Sequence, residues 1–117
     1  MTEPTSDAEA RVLFRIAKTN PPTNADFMSG KARGKQLLDS GEEKRRLWEG
    51  ISVYATEAQA RRTARKYPRI GTHIAALRVP GQGPIKWERT TGQPGHYTLW
   101  GDPEDLARCI VSVVRVE

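Results

Sequence analysis

Residues 51–68 read ISVYATEAQARRTARKYP, and this stretch decides the fold. Apolar side chains alternate with Ser52 and Tyr54 from Ile51 to Ala55, which predicts a short, half-buried β-strand. Thr56, with a glutamine three residues later, forms a capping-box pattern and predicts that a helix begins directly after the strand. The helix is expected to end near Pro68, because the residue before a proline disfavours helical backbone.

A second strand pattern precedes this stretch at residues 11–17, which read RVLFRIA. Its alternation places Phe14 on one face and Arg15 on the other. The charge of Arg15 within such a run indicates either an edge strand or a side chain that points into a polar pocket. Two prolines follow the strand and end it, and Thr23 or Asn24 is the expected cap of a short helical turn.

The C-terminal part of the chain is rich in strand patterns. Strands are predicted at residues 72–79, 85–91, 96–100 and 110–116, and a short helix that Asp102 caps at residues 103–108. The last strand is expected well inside the sheet, because Val111, Val113 and Val114 are apolar. A further helix is expected from about Glu42 to Trp48, after an irregular, basic segment at residues 29–41.

Together these elements predict an α+β fold with a mixed or mainly antiparallel sheet of about six strands and two to three helices. Residues 11–117 are the expected single domain, after a flexible segment at residues 1–10. A chain of 117 residues has room for one core.

Composition excludes several classes of protein. No apolar stretch approaches the roughly 18 residues of a membrane span, and the polar, acidic start is unlike a targeting peptide. We therefore expect a cytoplasmic protein with no membrane partner. The single Cys109 excludes an internal disulfide framework, and with two histidines in the chain no metal site is expected.

The net charge of +5 is concentrated in the middle of the chain. Twelve basic and five acidic residues between Lys31 and Arg78 give +7, whereas the other seven basic and nine acidic residues give −2. On the helix after Thr56, the predicted buried side carries Ala60, Ala64 and Tyr67. The basic residues of the outer side are Arg61, Arg62, Arg65 and Lys66.

Two interpretations of this basic helix face remain open. It is either an ordinary solvated surface, with cations near the negative end of the helix, or an anion-binding patch. As a patch, it would bind nucleic acid or an acidic protein partner. That binding would weaken steeply with added salt, because phosphate contacts release counterions.

Standard catalytic motifs are absent from the sequence, including phosphate-binding loops and the nucleophile elbow of hydrolases. A set of candidate site residues, less specific than a standard motif, is spread over different predicted strands. Arg15 suits a phosphate, Ser52 and Tyr54 suit hydrogen bonding and stacking on a ring, and Glu88 suits a ribose hydroxyl. His96 lies at a turn edge, where a ligand can reach it. In the structural alternative, Arg15 and Glu88 form a cross-strand pair and Tyr54 is a rim residue.

The run from Leu13 to Arg15, a variable basic insert and the run from Ile51 to Ala60 resemble the opening of ADP-ribosyltransferase-like domains. The layout is most similar to the RES-domain toxins, which act on NAD. The resemblance implies that Arg15 and Ser52 or Tyr54 bind NAD and that Glu88 completes the site as the catalytic carboxylate. The chain differs from these families in having no Glu-x-Glu or Gln-x-Glu pair.

Three segments that contain proline or glycine also resemble parts of small bacterial proteins of unassigned function. The segments concerned are Asn20–Thr23 with Asp26-Phe27, Trp48–Ser52 and Gly95–Pro103. This second resemblance implies no activity. A third hypothesis for the function is therefore an accessory protein, such as a phage- or operon-encoded adaptor, that self-associates through edge strands or through the hairpin carrying Trp87 and Trp100.

Overall fold

The computed structural model describes residues 10–29, 31, 41–42, 48–80, 83, 85–89 and 95–116. The flexible segment predicted at the N-terminus lies outside the described residues, apart from residue 10. Most of the basic segment at residues 29–41 and most of the helix predicted from Glu42 to Trp48 also lie outside them.

Six strands form one sheet, and every pair of neighbouring strands is antiparallel. The strands are β1 (Arg11–Ala17), β2 (Ile51–Tyr54), β3 (His73–Val79), β4 (Lys86–Arg89), β5 (His96–Trp100) and β6 (Ile110–Arg115). The helices that are described along their whole length are a 3-10 helix (Asn24–Phe27), α1 (Glu57–Lys66) and α2 (Pro103–Ala107). The predicted α+β class with about six strands is confirmed.

The sheet is divided between β1 and β2. The strand order is β4-β5-β2-β1-β3-β6, and β1 pairs with β3 along its whole length, from Arg11 opposite Val79 to Ala17 opposite His73. In contrast, the register between β1 and β2 contains one residue pair, Phe14 with Tyr54. The sheet therefore consists of two three-stranded halves, the β2 half (β4, β5, β2) and the β1 half (β1, β3, β6).

Helix α1 covers one face of the sheet across this division, where it contacts β1, β2 and β3. The Thr56 side chain accepts a hydrogen bond from the Gln59 amide at 3.2 Å, as the capping pattern predicts. Ala60 and Ala64 are buried and pack with residues of β1, β2 and β3. The prediction that Tyr67 is buried is wrong. Helix α1 ends at Lys66, and the backbone of Tyr67 is no longer helical, so its side chain is 51% exposed.

The main core lies on the opposite face, beneath α2 and the 3-10 helix. Its largest fully buried side chain is Phe27, which packs in one cluster with Leu13, Leu77 and Leu106. Asp102 occupies the predicted cap position of α2, but its side chain makes no capping hydrogen bond. The Asp102 carbonyl instead accepts from the Leu106 amide at 3.0 Å.

The position expected for the last strand is wrong. β6 is an edge strand of the sheet, and Val111 is 61% exposed. The apolar residues Val113 and Val114 pack inward from the two faces of β6, one against each core cluster. An edge strand that is partly covered on both faces carries the same apolar pattern as a central strand. The pattern alone therefore does not distinguish the two positions.

Candidate functional site

A cleft of about 640 Å³ lies where the two halves of the sheet separate. The lining of this β1–β2 cleft includes Arg15, Lys18, Asp26, Ser52, Tyr54 and Arg69. Three of these side chains are basic and one is acidic. Three of the four residues predicted to bind a cofactor, Arg15, Ser52 and Tyr54, therefore line one cleft, although β1 and β2 are far apart in sequence.

The wall formed by the 3-10 helix is fixed by Asp26. One carboxylate oxygen accepts a hydrogen bond from the Lys18 amide at 2.9 Å, and the other accepts from the Thr23 amide at 2.9 Å. Asp26 is only 8% exposed. A buried carboxylate is stable when its oxygens accept hydrogen bonds, so the side chain joins the 3-10 helix to the end of β1.

Arg15 connects three elements around the cleft. Its Nε donates to the Asp26 carbonyl at 2.8 Å, and its Nη1 donates to the Ser52 carbonyl at 2.9 Å. Because β1 is a central strand, the second of the two explanations for its charge holds, and Arg15 points into a polar pocket. The planar guanidinium is thus oriented by two backbone acceptors from different segments.

His96 lies beside Tyr54, opposite it in the register of β2 and β5. The two rings meet edge to face, with centroids 5.4 Å apart. Gly95 precedes His96 with a φ of +77°, a conformation that favours glycine, and its carbonyl accepts from the Ala55 amide at 2.8 Å. Burial lowers the pKa of His96 below the usual 6.5, because the charged imidazolium loses hydration.

The lowered pKa of His96 predicts a loss of stability in mild acid. The unfolded chain takes up the proton near pH 6.5, before the folded protein does. The contribution of His96 to stability is therefore complete above that pH and declines as the pH falls towards the folded-state pKa. Urea denaturation measured from about pH 7 to about pH 5 should show a smaller decline for His96→Gln than for the wild type. Parallel curves for His96→Gln and the wild type would contradict the assignment.

Two basic residues of the cleft, Lys18 and Arg69, were missed by sequence reasoning. Lys18 directly follows β1, and Arg69 lies in the turn after α1. Gly71 brings that turn against β1, because a Cβ at this position would overlap the Ala17 carbonyl. The signal in the sequence is weak. It consists of one basic residue at a strand end and another two residues before a glycine.

Glu88, the predicted catalytic carboxylate, does not line the cleft. It is exposed on β4 and lies opposite Thr98, which in turn lies opposite Ser52. Two strand spacings place Glu88 roughly 10 Å from Ser52 along the sheet. The structural alternative is also wrong. Arg15 and Glu88 form no cross-strand pair, since β1 and β4 are not neighbours, and Tyr54 is a buried core residue and not a rim residue. The catalytic role of Glu88 therefore stays a prediction.

The basic face of α1 lies apart from the cleft lining. Arg61 donates from Nη2 to Glu57 at 2.7 Å and from Nη1 to the Arg115 carbonyl at 3.2 Å. Arg62, Arg65 and Lys66 are exposed. Intramolecular partners thus engage Arg61, and Lys66 lies over the Tyr67 ring at 5.5 Å from its centroid.

Outside the cleft, the described residues form no metal site, and burial disfavours the thiolate form of Cys109. Within the described ranges, no group of three or more His, Cys, Asp or Glu side chains is placed to bind a metal ion. Burial, followed by the charge of Asp105, raises the pKa of the Cys109 thiol, which opposes formation of a reactive thiolate. None of the helices among the described residues combines the length and apolar character required to cross a membrane.

Comparison with protein-family models, curated proteins and solved structures found no match to this chain.

Proposed function

We propose that this protein binds NAD or a related nucleotide in the β1–β2 cleft, as an ADP-ribosyltransferase-like domain of the toxin or effector kind. One observation carries the proposal. Arg15, Ser52 and Tyr54 line the same cleft, and these are the positions to which the resemblance assigns NAD binding.

The chemistry of the cleft supports this ligand class. Its volume of about 640 Å³ falls within the roughly 300–1,000 Å³ of small-molecule sites. Basic side chains favour phosphate groups. Tyr54 is buried, with 9% of its surface exposed, and adds an aromatic side chain to the lining of the cleft. The exposed Ser52 supplies a hydroxyl that both donates and accepts hydrogen bonds.

The lining of the cleft supports binding of the ligand more directly than transfer of ADP-ribose. Asp26 is the one acidic side chain among the described residues that line the cleft, and both its oxygens already accept backbone amides. Glu88 lies outside the cleft. Transfer of ADP-ribose through Glu88 would therefore require the ligand to extend from Ser52 past Thr98 of β5, whose side chain is buried.

Calorimetric titration with NAD tests the proposal. Binding with a dissociation constant below about 1 mM is expected for the wild type. Ser52→Trp should abolish it, because an indole in place of an exposed serine occupies the cleft without removing a buried side chain. Arg15→Ala should weaken it at least about tenfold, since hydrogen bonds to a charged donor are the strong ones.

A matched control is Arg89→Ala, which removes an exposed arginine from β4, outside the cleft, and should leave NAD affinity unchanged. Circular dichroism of each variant separates loss of binding from loss of structure. The proposal fails if millimolar NAD gives no binding heat, or if well-folded Ser52→Trp binds NAD as tightly as the wild type.

The alternative function, binding of nucleic acid or an acidic protein through the helix α1, has one observation in its favour. Arg62, Arg65 and Lys66 are exposed on one side of the helix, as this function requires. Arg61, the fourth basic residue of this helix face, already donates hydrogen bonds to Glu57 and to the Arg115 carbonyl. Its charge is therefore less available to an anionic ligand. Retention on single-stranded DNA that falls steeply with added salt would favour this function over nucleotide binding.

A further inference from the structure

The β1–β2 cleft differs in chemistry between its two ends. Tyr54 marks one end, at the level of Phe14 on β1, with His96 packed against its ring. Lys18 marks the other end, just beyond β1. At about 3.3 Å per strand residue, the four steps from Phe14 to Lys18 span roughly 13 Å. The cleft is therefore elongated, with an aromatic end and a cationic end.

The cationic end of the cleft is formed by Lys18 and Arg69, both of which are exposed. Neither Lys18 nor Arg69 makes an ion pair with an acidic residue in the described part of the chain. Asp26 lies nearby, but its two oxygens accept the amides of Lys18 and Thr23. Two cations at one end of a cleft, with the neighbouring carboxylate already engaged, favour a ligand that brings its own negative charge.

The backbone around both cations is fixed by hydrogen bonds. The Lys18 amide bonds to Asp26, and the Lys18 carbonyl accepts from the Thr72 hydroxyl at 3.3 Å. The Thr72 amide donates to the Ala17 carbonyl at 3.0 Å, which ties the turn carrying Arg69 to the end of β1. Their backbones are thus placed before a ligand arrives, so binding has to order only their side chains.

We propose that the ligand lies lengthwise in the cleft, with the base of one nucleoside at Tyr54 and the pyrophosphate between Lys18 and Arg69. This inference rests on the proposed function for the choice of a nucleotide, and it adds direction and a new pair of binding residues. In a dinucleotide, the second nucleoside extends past Lys18, beyond the end of β1. The nucleoside diphosphate unit is therefore the part of the ligand that the cleft recognises.

The test uses inorganic pyrophosphate and NAD as separate probes in calorimetry. A Lys18→Gln/Arg69→Gln double variant should bind each probe at least about tenfold more weakly than the wild type, because two charged donors are lost. The matched control is Lys86→Gln/Arg89→Gln, which removes the same two charges from exposed positions on β4. It should bind both probes as the wild type does.

The outcomes separate this inference from the proposed function. If pyrophosphate binds and the double variant weakens it, while NAD does not bind, the cationic end is supported and the NAD proposal fails. If NAD binds the double variant and the wild type equally, the NAD proposal stands and the placement of the pyrophosphate is overturned. Absence of pyrophosphate binding to the wild type, or equal weakening in the control variant, also overturns it.

Discussion

Replacing Phe27 with alanine is expected to lower the free energy of unfolding by about 3–5 kcal/mol, the range observed for large buried aromatic residues. Phe27 is 1% exposed and is the largest of the fully buried side chains. It packs against Leu13 of the sheet and Leu106 of α2 in the main core. Truncation leaves a cavity at the junction of three elements, and none of them can collapse into it without giving up other contacts.

Urea denaturation at neutral pH measures this effect, with Met28→Ala as the control. Met28 is the next residue, is only partly buried and lies outside both core clusters, so its truncation should cost less than about 1.5 kcal/mol. A cost for Phe27→Ala no larger than that for Met28→Ala would show that the 3-10 helix is not anchored through this side chain.

Replacing Asp26 with asparagine should lower the free energy of unfolding by about 2–4 kcal/mol, although the two side chains have nearly the same shape. Both carboxylate oxygens accept backbone amides in the wild type, from Lys18 and Thr23. In asparagine, one of those positions becomes an NH₂ group, which places a donor against a donor. One amide then loses its partner and the other loses the charge on its acceptor.

Thermal and urea denaturation of Asp26→Asn check this expectation, with Asp105→Asn as a matched control. Asp105 forms an ion pair with Arg108 whose arginine is 74% exposed, and such pairs contribute less than about 1 kcal/mol. Equal stability losses for the two variants would contradict the structural role of Asp26.

Local features of this protein could be predicted from the sequence, because their causes are local. The bounds of β1 and β5 follow from alternation over a few residues and from the prolines and glycines beside them. The start of α1 follows from Thr56 and Gln59, whose contact spans three residues. Predictions of this kind need no knowledge of which strand lies beside which.

Features that depend on long-range pairing were missed or misplaced. The cleft exists because β1 and β2 share one residue pair, and alternation within either strand carries no sign of that division. The edge position of β6 is likewise a property of the whole sheet. Arg15 was the one residue whose own sequence context signalled the site, since a charge within an apolar strand requires a polar partner. Lys18 and Arg69 carried no comparable signal.

The two-part sheet has a consequence for the order in which the chain can fold during synthesis. The β1 half combines β1 and β6, the first and last strands among the described residues, because β3 lies between them. The β2 half uses only strands from the middle of the chain. A nascent chain can therefore complete the β2 half before β6 has been made, whereas β3 keeps an open edge until Arg115 has left the ribosome. Pairing of distant segments is slow, so the cleft between the halves is expected to be among the last parts to form.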